Sequence, residues 1–169
     1  MPTTSATKRG SRQPKNPKSC HERALGLLAV RPRARRELER RLLAAGFEAD
    51  EVADVLARLE RVGLIDDEAF ARQLAEHQFG TRRAGRRAVT SALLAKGIAP
   101  DLAAAVVDAA PEDEQARAAE LARSRAGRLS GVEPQRAFGR LTSLLVRRGY
   151  SPEVARAAAR SALEVDEQD

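Results

Sequence analysis

The segment LLAAGF at residues 42–47 occurs three times in related forms along this chain. It recurs as LLAKGI at residues 93–98 and as LVRRGY at residues 145–150. The glycines of the three copies are Gly46, Gly97 and Gly149, so the spacings are 51 and 52 residues. A nearly fixed period of this length indicates a repeat architecture. The alternative is one irregular helical bundle in which the similarity of the segments is a coincidence.

Each copy predicts a helix, a glycine turn and a second helix. The glycine stands where a helix commonly ends in a residue with positive φ. A large apolar residue follows the glycine and is expected to pack back on the helix; these residues are Phe47, Ile98 and Tyr150. Start signals for the next helix come two or three residues after this apolar residue. They are Asp50 as an expected N-cap, and Pro100 and Pro152 as first helical residues behind Ala99 and Ser151.

A further helix is predicted before each pair. Its three versions run over about Glu22 to Val30, Asp67 to Phe79, and Pro111 to about Arg128. The unit is therefore three helices, and we divide the chain into repeats at residues 22–66, 67–110 and 111–165. Residues 1–21 form a basic leader and residues 166–169 an acidic tail. Because so small a unit buries little surface alone, we expect the repeats to stack into an elongated or curved array.

The composition independently favours an all-α fold. Hydrophobic residues make up 43% of the 169 residues, but aromatic residues make up only 3% and Trp is absent. The abundant Ala, Leu, Arg and Glu are good helix formers because they lose little rotamer freedom in a helix. No run of β-branched or aromatic residues alternates with a period of two, as a half-buried strand requires.

The net charge of +6 is concentrated at the amino terminus. The first 21 residues carry five Lys or Arg residues and no acidic residue, which leaves about +1 for the rest. A basic arm of this kind often contacts nucleic acid, although it is also typical of a solvated leader. The single cysteine, Cys20, fits a reducing cytoplasm. We expect no membrane span and no secretory signal, since the long apolar runs that these need are missing.

The sequence predicts no enzyme, metal site or cofactor. The candidate nucleophile Cys20 and its neighbour His21 lie at the end of the leader, where nothing is expected to hold a catalytic geometry. The glycine-rich segment at residues 80–85 follows a predicted helix and is not continued by Lys and Ser or Thr, so it does not resemble a phosphate-binding loop. Asp66 and Asp67 stand at a helix start, where carboxylates cap backbone N–H groups.

Arginines are the more informative charged residues. Several are four residues apart, which places Arg36 with Arg40, Arg83 with Arg87, and Arg136 with Arg140 on shared helix faces. Stacked repeats could present them as one basic ridge toward phosphates or an acidic protein surface. The alternative is that they are ordinary solvated residues. The candidate ridge comprises Arg35, Arg36, Arg40, Arg82, Arg83, Arg86, Arg87, Lys96, Arg136, Arg140, Arg147 and Arg148.

Four short segments resemble the RecX family of RecA regulators, in the family's order over about residues 22–165. They are the Arg35–Leu38 run, the turn Leu64-Ile65-Asp66-Asp67 with Phe70 behind it, Lys96-Gly97-Ile98, and Arg147–Tyr150. The turn is the most specific, and we expect it to be structural, like the three repeat glycines. Two residues depart from the family pattern: Ala34 stands where Ser is usual, and Tyr150 replaces Phe.

The resemblance implies a cytoplasmic bacterial protein, expected to be a monomer, that binds RecA and the RecA–DNA filament without catalysis. It further implies lower ATP hydrolysis, strand exchange and co-protease activity of RecA, and it allows weak direct contact with DNA. A helical nucleic-acid-binding module that acts without RecA is the alternative. A helical adaptor for another protein is a third class.

Overall fold

The computed structural model describes residues 18–110 and 113–166, and over these residues every regular element is helical. The all-α prediction is therefore confirmed. The helices are α1 (Cys20–Val30), α2 (Arg35–Ala44), α3 (Ala49–Arg61), α4 (Asp67–Gly80), α5 (Arg86–Ala95), α6 (Pro100–Asp108), α7 (Glu114–Ala126), α8 (Pro134–Arg147) and α9 (Pro152–Asp166), with a 3-10 turn at Gly127–Leu129 after α7.

The repeated glycines end the middle helices as predicted. Gly46, Gly97 and Gly149 have φ values of +94°, +89° and +89°, which residues other than glycine rarely adopt. The residue after each glycine turns back into the core, and all three are buried: Phe47, Ile98 and Tyr150. The turn therefore sets the angle between the second and third helix of each repeat.

Three predicted helix starts need correction. The first helix begins at Cys20 and not at Glu22, because Ser19 forms a capping box with Glu22. The N-cap of α3 is Glu48 and not Asp50, which lies in the first turn. The helix predicted from Pro111 begins at Glu114 behind the cap Asp113 and ends at Ala126. Pro111 itself lies outside the described residues, as do residues 1–17 of the leader and residues 167–169 of the tail.

The chain divides into two compact units between Ile65 and Asp66. The first unit contains α1 to α3. Its core is built from aliphatic side chains of all three helices, and Cys20 belongs to it. Burial, and to a lesser extent the charge of Glu51, raise the pKa of the Cys20 thiol, so this cysteine is an unreactive core residue.

A buried carboxylate joins the first two helices of this unit. Glu37, whose side chain is only 4% exposed, accepts hydrogen bonds through Oε1 from Arg31, Arg33 and Arg41 at 2.6, 2.5 and 3.1 Å. Arg33 is itself buried and also donates to the carbonyl oxygen of Leu27 in α1. The ionic cluster therefore holds the turn between α1 and α2. The N-cap residue of α2 is Ala34, which has no side chain that could cap the helix.

The second unit contains α4 to α9. The helices of the third repeat share an alanine-rich core between α7, α8 and α9, in which Leu141, Leu145 and Tyr150 are the largest fully buried side chains. Small side chains let these helices approach closely, so a core with few aromatic residues still packs. No helix among the described residues is long and apolar enough to cross a bilayer.

A candidate basic interface where two repeats meet

The end of α8 lies directly against the start of α5. A side chain at Gly85 would place its Cβ 2.4 Å from the carbonyl carbon and oxygen of Gly149. A Cβ at Gly149 would lie 2.3 Å from the Cβ of Ala88. Both positions thus require glycine for contact between the repeats, and Gly149 requires it for its turn as well. We call this contact the seam.

Backbone groups of the third repeat cap α5 at the seam. Gly85 N–H donates to the carbonyl of Arg148 at 2.8 Å, and Arg87 N–H donates to the carbonyl of Gly149 at 3.2 Å. Between them, Arg86 N–H donates to Oε1 of Glu114 at 2.8 Å. These contacts use the free N–H groups of a helix that has no side-chain cap of its own. The start of α5 therefore has no free amides with which to bind an anion.

Side chains extend the seam beyond the backbone. The Tyr150 hydroxyl donates to the carbonyl of Arg83 at 2.9 Å, and burial raises the pKa of this phenol. The guanidinium of Arg117, a buried residue of α7, stacks 4.5 Å from the centre of the Phe79 ring of α4. A cation over an aromatic face is attracted by the ring quadrupole. The second and third repeats are therefore joined by specific polar contacts as well as by packing.

Six of the predicted ridge residues meet at this seam. Arg82 and Arg83 precede α5, and Arg86 and Arg87 are its first two residues. Arg147 is the last residue of α8, and Arg148 is its C-cap. Arg83 pairs with Glu120 and Arg86 with Asp108, while Arg148 donates to the carbonyl of Arg82. The other three are exposed and have no ion pair with any described residue. We call these three, Arg82, Arg87 and Arg147, the seam arginines.

The predicted pairing of Arg83 with Arg87 on one helix face is wrong. Arg83 lies in the turn before α5 with a φ of +48°, the left-handed region. Gly85 and not Arg83 is the residue at the helix boundary, because its amide is held by the third repeat. Arg83 therefore faces Glu120 of α7 and contributes to the seam itself.

A basic stripe leads along α8 to the seam. Arg136, Arg140, Ser143 and Arg147 are exposed and follow one another at intervals of four, three and four residues, so they share one face. With Gly139 they line a shallow open groove. The predicted sharing of a face by Arg136 and Arg140 fits this arrangement. Three cations over about 16 Å of helix suit a row of phosphates or carboxylates.

The remaining ridge candidates lie on other parts of the chain. Lys96 lies at the opposite end of α5, about 15 Å along a helix of this length. Arg36 and Arg40 lie exposed on one face of α2 in the first unit, and Arg35 beside them is paired with Glu60 of α3 at 2.9 Å. Arg35, Arg36 and Arg40 form a second basic surface, within the first unit.

The turn Leu64–Phe70, for which a structural role is predicted, makes local contacts at the start of α4. Asp66 caps α4 by accepting from the amide of Ala69 at 2.9 Å, and Ile65 is buried in the core of the first unit. Phe70 is partly buried and Leu64 is half exposed. The residues that sequence reasoning missed are those that build the seam, above all Glu114 and Gly85. Neither lies in a repeated segment, and no periodicity marks a contact between repeats.

No group of three or more possible metal ligands occurs among the described residues. A groove of 540 Å³ lies between α4 and α6, and apolar side chains form most of its lining. His77 lies in the last turn of α4 and does not line this groove.

Comparison with known proteins agrees with the repeat structure. Three family models match successive parts of the chain: the first three-helix domain of RecX at residues 20–59, the second at 66–107 and the third at 112–158. The chain belongs to the RecX family. The predicted tandem of three three-helix repeats is thereby confirmed, as is the resemblance drawn from the four short segments.

RecX relatives match over most of their length. The regulatory protein RecX of Mycolicibacterium smegmatis is 38% identical over 152 residues, which cover 85% of this chain and 81% of that protein. RecX of Amycolatopsis mediterranei is 35% identical over 139 residues, covering 82% and 79%. The crystal structure of RecX from Lactobacillus salivarius has the same fold, with a TM-score of 0.76 at 20% identity, covering 85% and 94%. The chain is a non-catalytic regulatory protein of this family.

Proposed function

We propose that the chain binds RecA and the RecA–DNA filament and inhibits RecA without covalent chemistry. The activities that it lowers are ATP hydrolysis, strand exchange and co-protease activity. The observation that carries the proposal is membership in the RecX family across all three domains. In this function the protein acts in the bacterial cytoplasm, as a monomer.

The seam supplies a physical basis for binding. It brings arginines of two repeats to one place, and the carboxylates at hand neutralise only Arg83 and Arg86. The seam arginines remain available for an acidic protein surface or for phosphates. Because backbone hydrogen bonds hold both helix ends, these cations sit on a rigid base, so less conformational entropy is lost when they bind.

Inhibition then follows from occupancy. A protein seated on the filament contacts neighbouring RecA subunits and DNA phosphates together, and so opposes the changes in subunit geometry that ATP turnover requires. Such a regulator acts at ratios well below one per RecA subunit, because each bound copy restrains several subunits.

The primary test is ATP hydrolysis by RecA of the same organism on single-stranded DNA, titrated with this protein. We expect suppression well below one copy per RecA subunit. The double variant Arg87→Glu/Arg147→Glu should need a higher concentration for the same suppression. Arg156→Glu/Arg160→Glu, an equal charge reversal on the exposed face of α9, is the matched control and should behave as the wild type. Absence of suppression by the wild type contradicts the proposal.

The basic stripe of α8 favours a second candidate, a nucleic-acid-binding module that acts without RecA. Binding through phosphates weakens steeply with salt because each neutralised phosphate releases counterions. The affinity of the protein for DNA without RecA, measured between about 50 and 200 mM salt, distinguishes the two candidate functions. For six or more phosphate contacts, about 10³-fold or more of the affinity is lost over this range. Tight DNA binding with no effect on RecA would establish the second candidate.

A further inference from the structure

The middle helix of each repeat exposes a large aliphatic side chain at the same place. Leu43 on α2, Leu94 on α5 and Val146 on α8 each stand three residues before the repeat glycine. Their exposed fractions are 43%, 44% and 42%. On these three helices no other large aliphatic side chain is exposed. We call these residues the three aliphatic positions.

Folding does not require an apolar residue at these positions. The residue before each is fully buried, and these residues are Leu42, Leu93 and Leu145. One residue further along a helix the side chain has rotated by about 100° and left the core, where polar residues are the usual occupants. The core therefore does not explain why an aliphatic residue occupies these positions.

Recurrence distinguishes these positions from ordinary exposed aliphatic residues. Single exposed aliphatic side chains are common on proteins and need no explanation. Val30 is such a case: it is 77% exposed, and the equivalent positions of the other repeats hold Thr81 and Glu133. Three aliphatic residues in one register, with nearly equal exposure, indicate one shared role.

Each of the three helices that carry these positions also carries an exposed arginine. Arg40 lies one turn before Leu43, Arg87 lies two turns before Leu94, and Arg147 follows Val146 directly. None of these arginines has an ion pair with a described residue. The matching surface is apolar at its centre and acidic at its edge. A phosphate backbone supplies the charge but no apolar recess, so the pattern favours a protein surface.

We propose that Leu43, Leu94 and Val146 are apolar anchors through which the three repeats bind a protein that presents the same recess repeatedly. Each recess is apolar and bordered by Asp or Glu side chains. Equivalent anchors on tandem repeats suit a partner built of identical subunits. The inference rests on the proposed function, in which that partner is the RecA filament.

The test is the triple variant Leu43→Gln/Leu94→Gln/Val146→Gln. Gln is a good helix former, and exposed substitutions change stability little, so the variant should fold. Circular dichroism and the thermal midpoint should match the wild type. We expect the concentration for half-inhibition of the RecA ATPase to rise about tenfold or more, from the apolar area that no longer becomes buried. Each single change should raise it several-fold.

Two controls make the result specific. Val30→Gln/Val62→Gln removes two more exposed aliphatic residues outside the shared register and should inhibit as the wild type does. Leu43→Met/Leu94→Met/Val146→Ile keeps apolar anchors and should retain inhibition. DNA affinity without RecA should be unchanged in every variant, since the arginines are intact.

The outcomes separate the two proposals. Wild-type inhibition by the triple Gln variant, or an equal loss in the Val30 and Val62 control, overturns the anchors and leaves the proposed function standing. A loss of DNA affinity with intact inhibition also overturns them, because the positions would then serve nucleic acid. Failure of the wild type to inhibit RecA overturns the proposed function, and the anchors with it.

Discussion

Gly149 illustrates at the residue scale how one position meets two demands. Its φ of +89° forms the turn after α8, and its missing side chain admits Ala88 of the second repeat. Gly131 has a similar φ of +83° in the same unit, but an added Cβ there meets nothing within 4 Å. Comparing substitutions at Gly149 and Gly131 therefore separates the effect of a positive φ from the effect of close contact between helices.

Gly149→Ala should destabilise the second unit more than Gly131→Ala does. Both substitutions place a side chain at positive φ, which costs about 1–2 kcal/mol. Gly149→Ala also forces apart α5 and α8, for a further 1–3 kcal/mol or so. Urea unfolding followed by circular dichroism measures the difference. Equal losses would show that the seam relaxes without effect on stability.

Glu37 makes the first unit sensitive to acid. Burial alone would raise the pKa of its carboxyl, but the hydrogen bonds and charges of Arg31 and Arg33 outweigh burial and hold the pKa below its ordinary value. A carboxyl with a lowered folded pKa stabilises above its unfolded pKa, about 4.3 for Glu. The stabilisation from Glu37 is lost as the pH falls through the pKa that its carboxyl has in the folded protein.

Glu37→Gln should destabilise the first unit by about 3 kcal/mol at pH 7, because Arg33 is left buried without its counter-charge. The difference from the wild type should shrink when the pH falls below the folded pKa of Glu37. Unfolding monitored at pH 7 and at successively lower pH checks both statements. Glu39→Gln, on the same helix but without an ion pair to any described residue, is the control and should have little effect at either pH. A pH-independent difference would contradict the assignment.

At the scale of the element, α5 depends on another repeat for its start. It carries Arg86 and Arg87 in its first turn, where the positive end of the helix dipole disfavours cations. Glu114 of α7 supplies the missing negative charge and one cap, and the carbonyls of Arg148 and Gly149, directly after α8, supply the others. An isolated segment with the sequence of α5 therefore lacks the groups that define where its helix begins.

Glu114→Ala should destabilise the second unit by about 1 kcal/mol, the usual effect of losing a helix cap. Glu120→Ala removes an acidic side chain from the same helix, but its ion pair with Arg83 is exposed and is worth about 0–1 kcal/mol. Thermal unfolding of the two variants gives the comparison. A smaller loss for Glu114→Ala than for Glu120→Ala would show that the cap is replaceable by water.

At the scale of the whole molecule, the seam places the second and third repeats in one folding unit. A fragment of residues 66–169 should be helical and unfold cooperatively, because its core and the seam both lie within it. A fragment of residues 66–110 should lose most of its helicity, because α5 loses its caps and Phe79 loses Arg117. Far-ultraviolet circular dichroism distinguishes them. Equal helicity per residue in both fragments would contradict this dependence.

The sequence by itself determined the secondary structure and the repeat. Local chemistry was sufficient for this, since glycine turns, proline starts and helical spacing act within a few residues of each other, as at Gly97, Ile98 and Pro100. It also identified the arginines as the charged residues of interest. The family resemblance rested likewise on short contiguous segments.

Only the tertiary structure decided which arginines meet and which are neutralised. The contact of Gly85 with Gly149 joins residues 64 positions apart, and no spacing rule encodes such a contact. Because of this contact α5 begins after Arg83. Cys20, which the sequence placed at the end of the basic leader, lies in the core of the first unit. Glu120 and Asp108 form ion pairs with two of the predicted ridge residues, Arg83 and Arg86. These features depend on packing between helices, which the periodicity of a single helix does not specify.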